Sequence, residues 1–121
     1  MGGGVSKNEL LAAAKEGDIV AVQMALTKTS ANCADKHTGD TALHFAAEGG
    51  HFLVLQELLK QGAEKNHTNK QGNIALHRSA AAGKCLVTQY LCEIGSDVTA
   101  RNKVDWTPLH VAACEQNPRR K

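Results

Sequence analysis

The chain has 121 residues, of which 42% are hydrophobic and 3% aromatic, and its formal net charge is +2. A chain of this length forms one small domain with a modest core. The low charge gives no reason to expect a nucleic-acid-binding protein. The sequence has no apolar run near the ~20 residues that span a bilayer, and its start lacks the apolar segment of a secretory signal.

The first six residues, Met1 to Ser6, fit the acceptor pattern for N-myristoylation, in which Gly2 carries the lipid. We therefore expect residues 1–7 to form a flexible segment with Gly2 as the lipidation site. One myristoyl chain holds a membrane only weakly, so the prediction is a cytoplasmic protein with weak membrane association, and the nucleus stays open. The alternatives are an ordinary flexible tail or an expression remnant.

Residues 8–35 predict a first pair of short helices. Leu10, Ala13 and Ala14 recur at spacings of three and four, which is typical of one buried helical stripe. Gly17 interrupts that stripe, and Val22 and Leu26 begin a second one.

The next helix pair opens with a phrase that occurs three times, over residues 40–47, 73–80 and 106–113. Its central leucines, Leu43, Leu76 and Leu109, lie 33 residues apart. A fixed period in this range indicates a stacked repeat array, in which no unit can bury its apolar face alone. Such arrays present extended concave surfaces.

The period divides the chain into a domain over 8–116, with repeats at about 8–35, 36–68 and 69–101 and a partial repeat at 102–116. Each full repeat predicts a turn, a helix, a second turn, an antiparallel helix and a long loop. In the connector 33–39 the register can differ by one residue. The last repeat stops after its first helix, at Pro118, so 117–121 is either a basic tail or a truncation point.

The phrase from Thr107 to Ala113 and the 33-residue period resemble the ankyrin repeat family. That resemblance covers about residues 8–115 and implies an all-α solenoid of stacked antiparallel helix pairs with hairpin loops. It also implies that His44, His77 and His110 are structural hydrogen-bonding residues. Departures from the pattern are Ile74 in place of a capping threonine and Arg78 at a usually apolar position.

Histidines and cysteines give no pattern of a cofactor or metal site. Successive repeat histidines would lie about 10 Å apart, roughly a helix diameter, whereas zinc needs ligands near ~2 Å. The four cysteines show no metal-type spacing, and Cys92 aligns with the core residue Leu59. Because no nucleophile, phosphate-loop or paired-carboxylate motif is found either, we expect no cofactor, no metal and no enzymatic activity.

The resemblance implies that a protein partner binds the loop tips and the exposed ends of the first helices. The predicted contact residues are Asp40, Glu48, Lys70, Gln71, Asn73, Arg101, Lys103 and Trp106. Trp106 is the single tryptophan, and large aromatics often dominate interface energies; packing on a flanking loop is its alternative. Charge becomes basic toward the later tips, which suits an acidic partner or is a solvated polar face.

The predicted function is therefore a monomeric, non-enzymatic protein–protein interaction module, an adaptor or scaffold. Nucleic acid is not the expected partner, since no aromatic stacking surface accompanies the basic residues. The alternative function is the substrate-recognition segment of a larger enzyme such as a ubiquitin ligase. The fold alone names no partner.

Overall fold

The computed structural model describes residues 3–116, with side-chain surroundings for residues 7–112. Seven helices occupy this part of the chain: α1 Gly3–Glu16, α2 Ile19–Leu26, α3 Ala42–Gly49, α4 Phe52–Lys60, α5 Ala75–Ala81, α6 Cys85–Glu93 and α7 Pro108–Gln116. Between the described helices there are turns and loops, and a single bridge pairs Ala34 with Thr41.

The helices form two layers. In the inner layer α1, α3, α5 and α7 lie side by side, each in contact with the next. The outer layer holds α2, α4 and α6, each packed on the inner helix that precedes it in sequence. This confirms the predicted all-α stack of helix pairs.

The core runs along the seam between the two layers. It is built from leucine, valine and alanine: Leu10, Ala14, Val22, Leu43, Ala46, Ala47, Val54, Leu55, Leu58, Leu76, Val87 and Leu91 are among its buried members. Alanines in the inner helices let the backbones approach closely, and the leucines of the outer helices fill the remaining space. Leu109 on α7 is an exception, with 78% of its surface exposed.

Helix α1 begins at Gly3, so it overlaps the segment 1–7 that the sequence predicts to be flexible. Buried Leu10, Ala13 and Ala14 hold this helix, and each further residue adds one hydrogen bond at little cost once a nucleus exists. Met1 and Gly2 lie outside the described residues, as does the predicted tail 117–121.

The core position predicted for Cys92 is wrong, since its side chain is exposed. The aligned residue Leu59 is itself only half-buried at the end of α4, so this position lies at the margin of the core and not inside it. Cys33 and Cys85 are free thiols as well.

Candidate partner-binding surface

Three loop tips, at residues 35–40, 69–73 and 102–106, project beside the inner helices. Each is closed by a backbone hydrogen bond, from Asp35 N to Asp40 O at 2.8 Å and from Asn69 N to Asn73 O at 2.9 Å. The third tip repeats this bond from Asn102 N to Trp106 O at 3.0 Å. The first tip is one residue longer than the others, which confirms the predicted slip in register.

A side-chain oxygen organises each tip from within. Asp35 Oδ1 accepts the N–H of His37 at 2.7 Å. Asn69 Oδ1 accepts that of Gln71 at 2.9 Å, and Asn102 Oδ1 accepts that of Val104 at 3.1 Å. Asparagine and aspartate favour such turns because their short side chains reach the backbone two residues on. The residue that follows them is therefore equivalent in all three tips.

The last turn of each tip needs a positive φ. Gly39 and Gly72 supply it with φ of 78° and 81°, and Asp105 adopts it at 68°. A Cβ on Gly72 would lie 3.1 Å from the backbone of Asn102 and Lys103. Glycine is thus needed there both for its conformation and for the close approach of the next tip.

Buried histidines tie the second repeat to the third and the third to the fourth. His44 Nδ1 accepts the N–H of Thr41 at 3.1 Å, so its Nε2 carries the proton that it donates to the carbonyl of Asn73 at 2.7 Å. His77 repeats the arrangement with Ile74 N at 3.1 Å and the carbonyl of Trp106 at 2.9 Å. These inter-repeat histidines are structural, as the family resemblance implied.

Burial lowers the pKa of both inter-repeat histidines below the ordinary 6.5, and the hydrogen bonds to carbonyls do not offset it. Protonation of Nδ1 would also remove the acceptor for the N-cap amide. At α5 that histidine provides the only side-chain link at the helix start, since Ile74 has no acceptor.

Arg78 on α5 crosses to the preceding repeat, where it binds two carboxylates. Its Nη1 lies 2.8 Å from Asp40 Oδ1, and its Nη2 binds Glu48 Oε1. Asp40 also accepts a bond from Asn69 Nδ2 at 2.8 Å. Burial alone would raise the pKa of Asp40, but the Asn69 bond and the Arg78 guanidinium hold it below 3.8.

Two predicted contact residues are therefore already engaged inside the protein. Asp40 is buried, so it is not the exposed contact that was expected. The carboxylate of Glu48 remains half-exposed but is bound to Arg78. Spacing alone could not reveal this, because the arginine lies 38 residues from Asp40.

Four other predicted residues meet in one cleft. Gln71, Asn73, Lys103 and Trp106 line a hollow of about 350 Å³ between the last two tips. Also lining it are Arg78, Val104, Val111, His77, Ala81 and Asn102. Trp106 is 37% exposed, so its side chain is neither buried against a loop nor fully exposed to solvent. The hollow therefore offers an aromatic and aliphatic wall beside a lysine, an arginine and three amide side chains.

The remaining two predicted residues lie outside this hollow. Lys70 is exposed at the middle tip, and its Nζ donates to the carbonyl of Lys36 at 2.6 Å. Arg101 is exposed beside the last tip, where its Nη1 donates to the carbonyl of Asp105 at 3.1 Å. It also lies 3.5 Å from the carboxylate of Asp105.

A second exposed feature lies on the outer helices and was not predicted. Val20, Leu53 and Leu86 are 61%, 66% and 63% exposed, and they occupy the same place in successive repeats, 33 residues apart. The repeat period could have identified this outer row, had the exposed positions of the second helices been compared.

Neither metal ligands nor membrane spans are found within the described residues. No group of three or more histidine, cysteine or acidic side chains among them could hold a metal ion. None of the seven helices is both long and apolar enough to cross a membrane.

Comparison with known proteins agrees with the architecture. The family model described as ankyrin repeats (3 copies) matches residues 10–102 and again 53–119. The chain belongs to the ankyrin repeat family. Ankyrin repeats are generally protein–protein interaction modules. No curated protein matches the chain.

Proposed function

We propose that this ankyrin repeat chain is a non-enzymatic adaptor that binds a protein partner through its loop tips and the adjoining face of the inner helices. The observation that carries the proposal is the hollow that unites Gln71, Asn73, Lys103 and Trp106. A half-exposed tryptophan beside polar groups has the character of an interface hot spot, where truncation costs about 2 kcal/mol or more.

The mechanism is rigid presentation. Each tip is fixed internally by its Asp or Asn side chain. The second and third tips are also bonded to the tip before them, through Lys70 N to Thr38 O at 3.0 Å and Lys103 N to Gln71 O at 2.9 Å. A surface that is ordered before binding loses little conformational entropy when the partner arrives.

The test is a lysate pull-down analysed by mass spectrometry. The wild-type chain is compared with the triple variant Lys70→Glu, Lys103→Glu, Trp106→Ala. A control variant on the outer layer, Lys60→Glu with Gln56→Ala, alters the exposed Lys60 and the half-buried Gln56 of α4. Circular dichroism establishes that all three proteins are folded. Partners retained by the wild type and the control but lost by the triple variant would support the proposal, and partners retained by all three would refute it.

Membrane tethering by a myristoylated Gly2 extends the proposal, supported by the acceptor pattern of the first six residues. The adaptor would then act in the cytoplasm, weakly held at a membrane. Gly2→Ala should move the protein to the soluble fraction on cell fractionation, whereas unchanged partitioning would remove this extension and leave the binding surface intact.

A further inference from the structure

One basic residue occupies the same place in each of the three tips. Lys36, Lys70 and Lys103 each directly follow the residue whose side-chain oxygen organises the tip. A strict 33-residue alignment would pair Lys70 with His37 instead, and only the extra residue of the first tip brings Lys36 into register. These three lysines are called the basic row below.

The basic row is continuous. Adjacent tips are joined by the two backbone bonds described above, and Lys70 Nζ reaches the carbonyl of Lys36 at 2.6 Å. The three lysines therefore follow one line across the stack, with their spacing set by the repeat.

The positive charge of the basic row is not neutralised by its neighbours. Among the side chains that the structure describes, no carboxylate lies within 4.0 Å of these three ammonium groups. Asp40 and Glu48 are bound to Arg78, and Asp105 lies beside Arg101. The oxygen Asp35 Oδ1 accepts the amides of its own turn. Complementary negative charge has to come from a partner.

The spacing of the basic row can be compared with the distance at which each backbone conformation of a partner segment returns a side chain to the same face. Successive inner helices pack roughly 8–10 Å apart, so we expect the backbones of successive lysines to be offset by about that distance. A β-strand returns a side chain to the same face every ~6.6 Å, which does not match. A polyproline II segment does so every third residue, or about 9.3 Å.

An α-helix would also match in length, with acidic residues seven apart at about 10.5 Å. The hollow at the end of the row favours the extended form instead. Trp106 and Val104 flank Lys103 there, and polyproline II segments characteristically dock against such aromatic-lined grooves.

We propose that the partner segment is an extended acidic stretch of polyproline II type, with Asp or Glu at every third residue along the basic row and an apolar residue in the hollow beside Trp106. This inference rests on the proposed function, whose surface it shares. It adds the charge, the period and the backbone conformation of the bound segment.

The test uses three synthetic peptides and the full chain at low salt. The first peptide has a glutamate at every third position, prolines between and a leucine at each end. The second has the same composition with its glutamates adjacent, and the third is a helical peptide with glutamates seven apart. Fluorescence of Trp106, the single tryptophan, reports occupancy of the hollow, and anisotropy of labelled peptides gives the affinity.

We expect the periodic peptide to bind at least about fivefold more tightly than either control peptide. The adjacent glutamates cannot reach all three lysines at once, and a helix fits the groove beside Trp106 less well than an extended segment does. Lys70→Glu should weaken binding of the periodic peptide about tenfold, since an attraction becomes a repulsion. Lys103→Glu provides a second variant, should the lost Lys70 bond to Lys36 disturb the first tip. Lys60→Glu, which makes the same charge change on the outer layer, should alter the affinity by less than about twofold.

Equal binding of the periodic and adjacent-glutamate peptides would overturn the proposed period, and tighter binding of the helical peptide would overturn the conformation. Tighter binding of an oligo-uridine RNA than of any peptide would overturn the assignment to a protein segment. If the lysate pull-down succeeds while the periodic peptide does not bind, the binding surface stands and this inference fails. If tip substitutions leave the pull-down unchanged, the proposed function itself fails.

Discussion

The repeat histidines permit a sharp test, because the same local motif occurs once with a buried histidine and once with an exposed one. His44 is buried, accepts the amide of Thr41 and donates to the carbonyl of Asn73 in the next repeat. His110 accepts the amide of Thr107 in the same way, at 3.3 Å, but its side chain is exposed. Replacing each with alanine separates the inter-repeat contribution from the local one.

The expected magnitudes follow from these contacts. His44→Ala removes two hydrogen bonds, each contributing about 1 kcal/mol, and leaves the buried Thr41 N–H without its acceptor for about 1–2 kcal/mol more. We expect the free energy of unfolding to fall by about 3–4 kcal/mol. His110→Ala loses only a solvent-accessible capping interaction, which contributes about 0.5–1 kcal/mol.

The measurement is equilibrium urea unfolding followed by circular dichroism, with both variants compared with the wild type at pH 7.5. The m-value has to stay constant for the comparison of midpoints to report stability. Equal losses for the two variants, within about 0.5 kcal/mol, would show that the bond between repeats adds nothing and would refute the reasoning.

Three further predictions concern pH, the buried ion pair and the tips. The free energy of unfolding should be highest above pH 6.5, the pKa of histidine in the unfolded chain, and should fall as the pH drops below it. The reason is that the unfolded chain then binds protons that the inter-repeat histidines, whose pKa is lowered, do not. A urea midpoint unchanged between pH 7.5 and 5.5 would contradict this. Arg78→Ala should lower the free energy of unfolding by about 1–3 kcal/mol, because it leaves the buried carboxylate of Asp40 without its charged partner. A double-mutant cycle with Asp40→Ala should give a coupling energy above about 0.5 kcal/mol. Additive losses in the cycle would contradict this prediction. Gly72→Ala should lower the free energy of unfolding by about 1–3 kcal/mol, because of the positive φ at this position and the nearby backbone of the next tip. Asp105→Gly should leave the stability unchanged or raise it slightly, as measured by thermal unfolding. Equal losses in both variants would contradict the strain assigned to Gly72→Ala.

The fold could be predicted because each repeat carries its own signal within a short stretch of sequence. Leucine and alanine spacings place each helix, and the recurring histidine follows from the phrase itself. The contact residues were harder to predict, since the fate of Asp40 depends on Arg78 in the next repeat, 38 residues away. A departure from the family pattern, the arginine at an apolar position, was the visible sign, but its partners depend on the packing of α3 against α5.

The register of the loop tips set a second limit on what the sequence could predict. A fixed period of 33 aligns the tips incorrectly by one residue at the first connector, which hides the equivalence of Lys36 with Lys70 and Lys103. Only the hydrogen bonds within each tip identify equivalent positions, because a turn is defined by which amide meets which oxygen and not by its distance from the previous copy. Exposure of the outer row was hidden for a similar reason, since apolar identity by itself suggests burial.

The exposure of Leu109 also affects how the protein opens. Its counterparts Leu43 and Leu76 are each 1% exposed, so α7 lacks much of the packing that holds α3 and α5. In a stack stabilised by contacts between neighbouring units, the least covered unit has the lowest free energy of local opening. Since Val111 on α7 forms part of the wall of the hollow, opening of this helix would dismantle the site. A partner bound beside Trp106 would therefore raise the hydrogen-exchange protection of α7 before that of any other described helix, so occupancy of the hollow and the stability of α7 form one linked equilibrium.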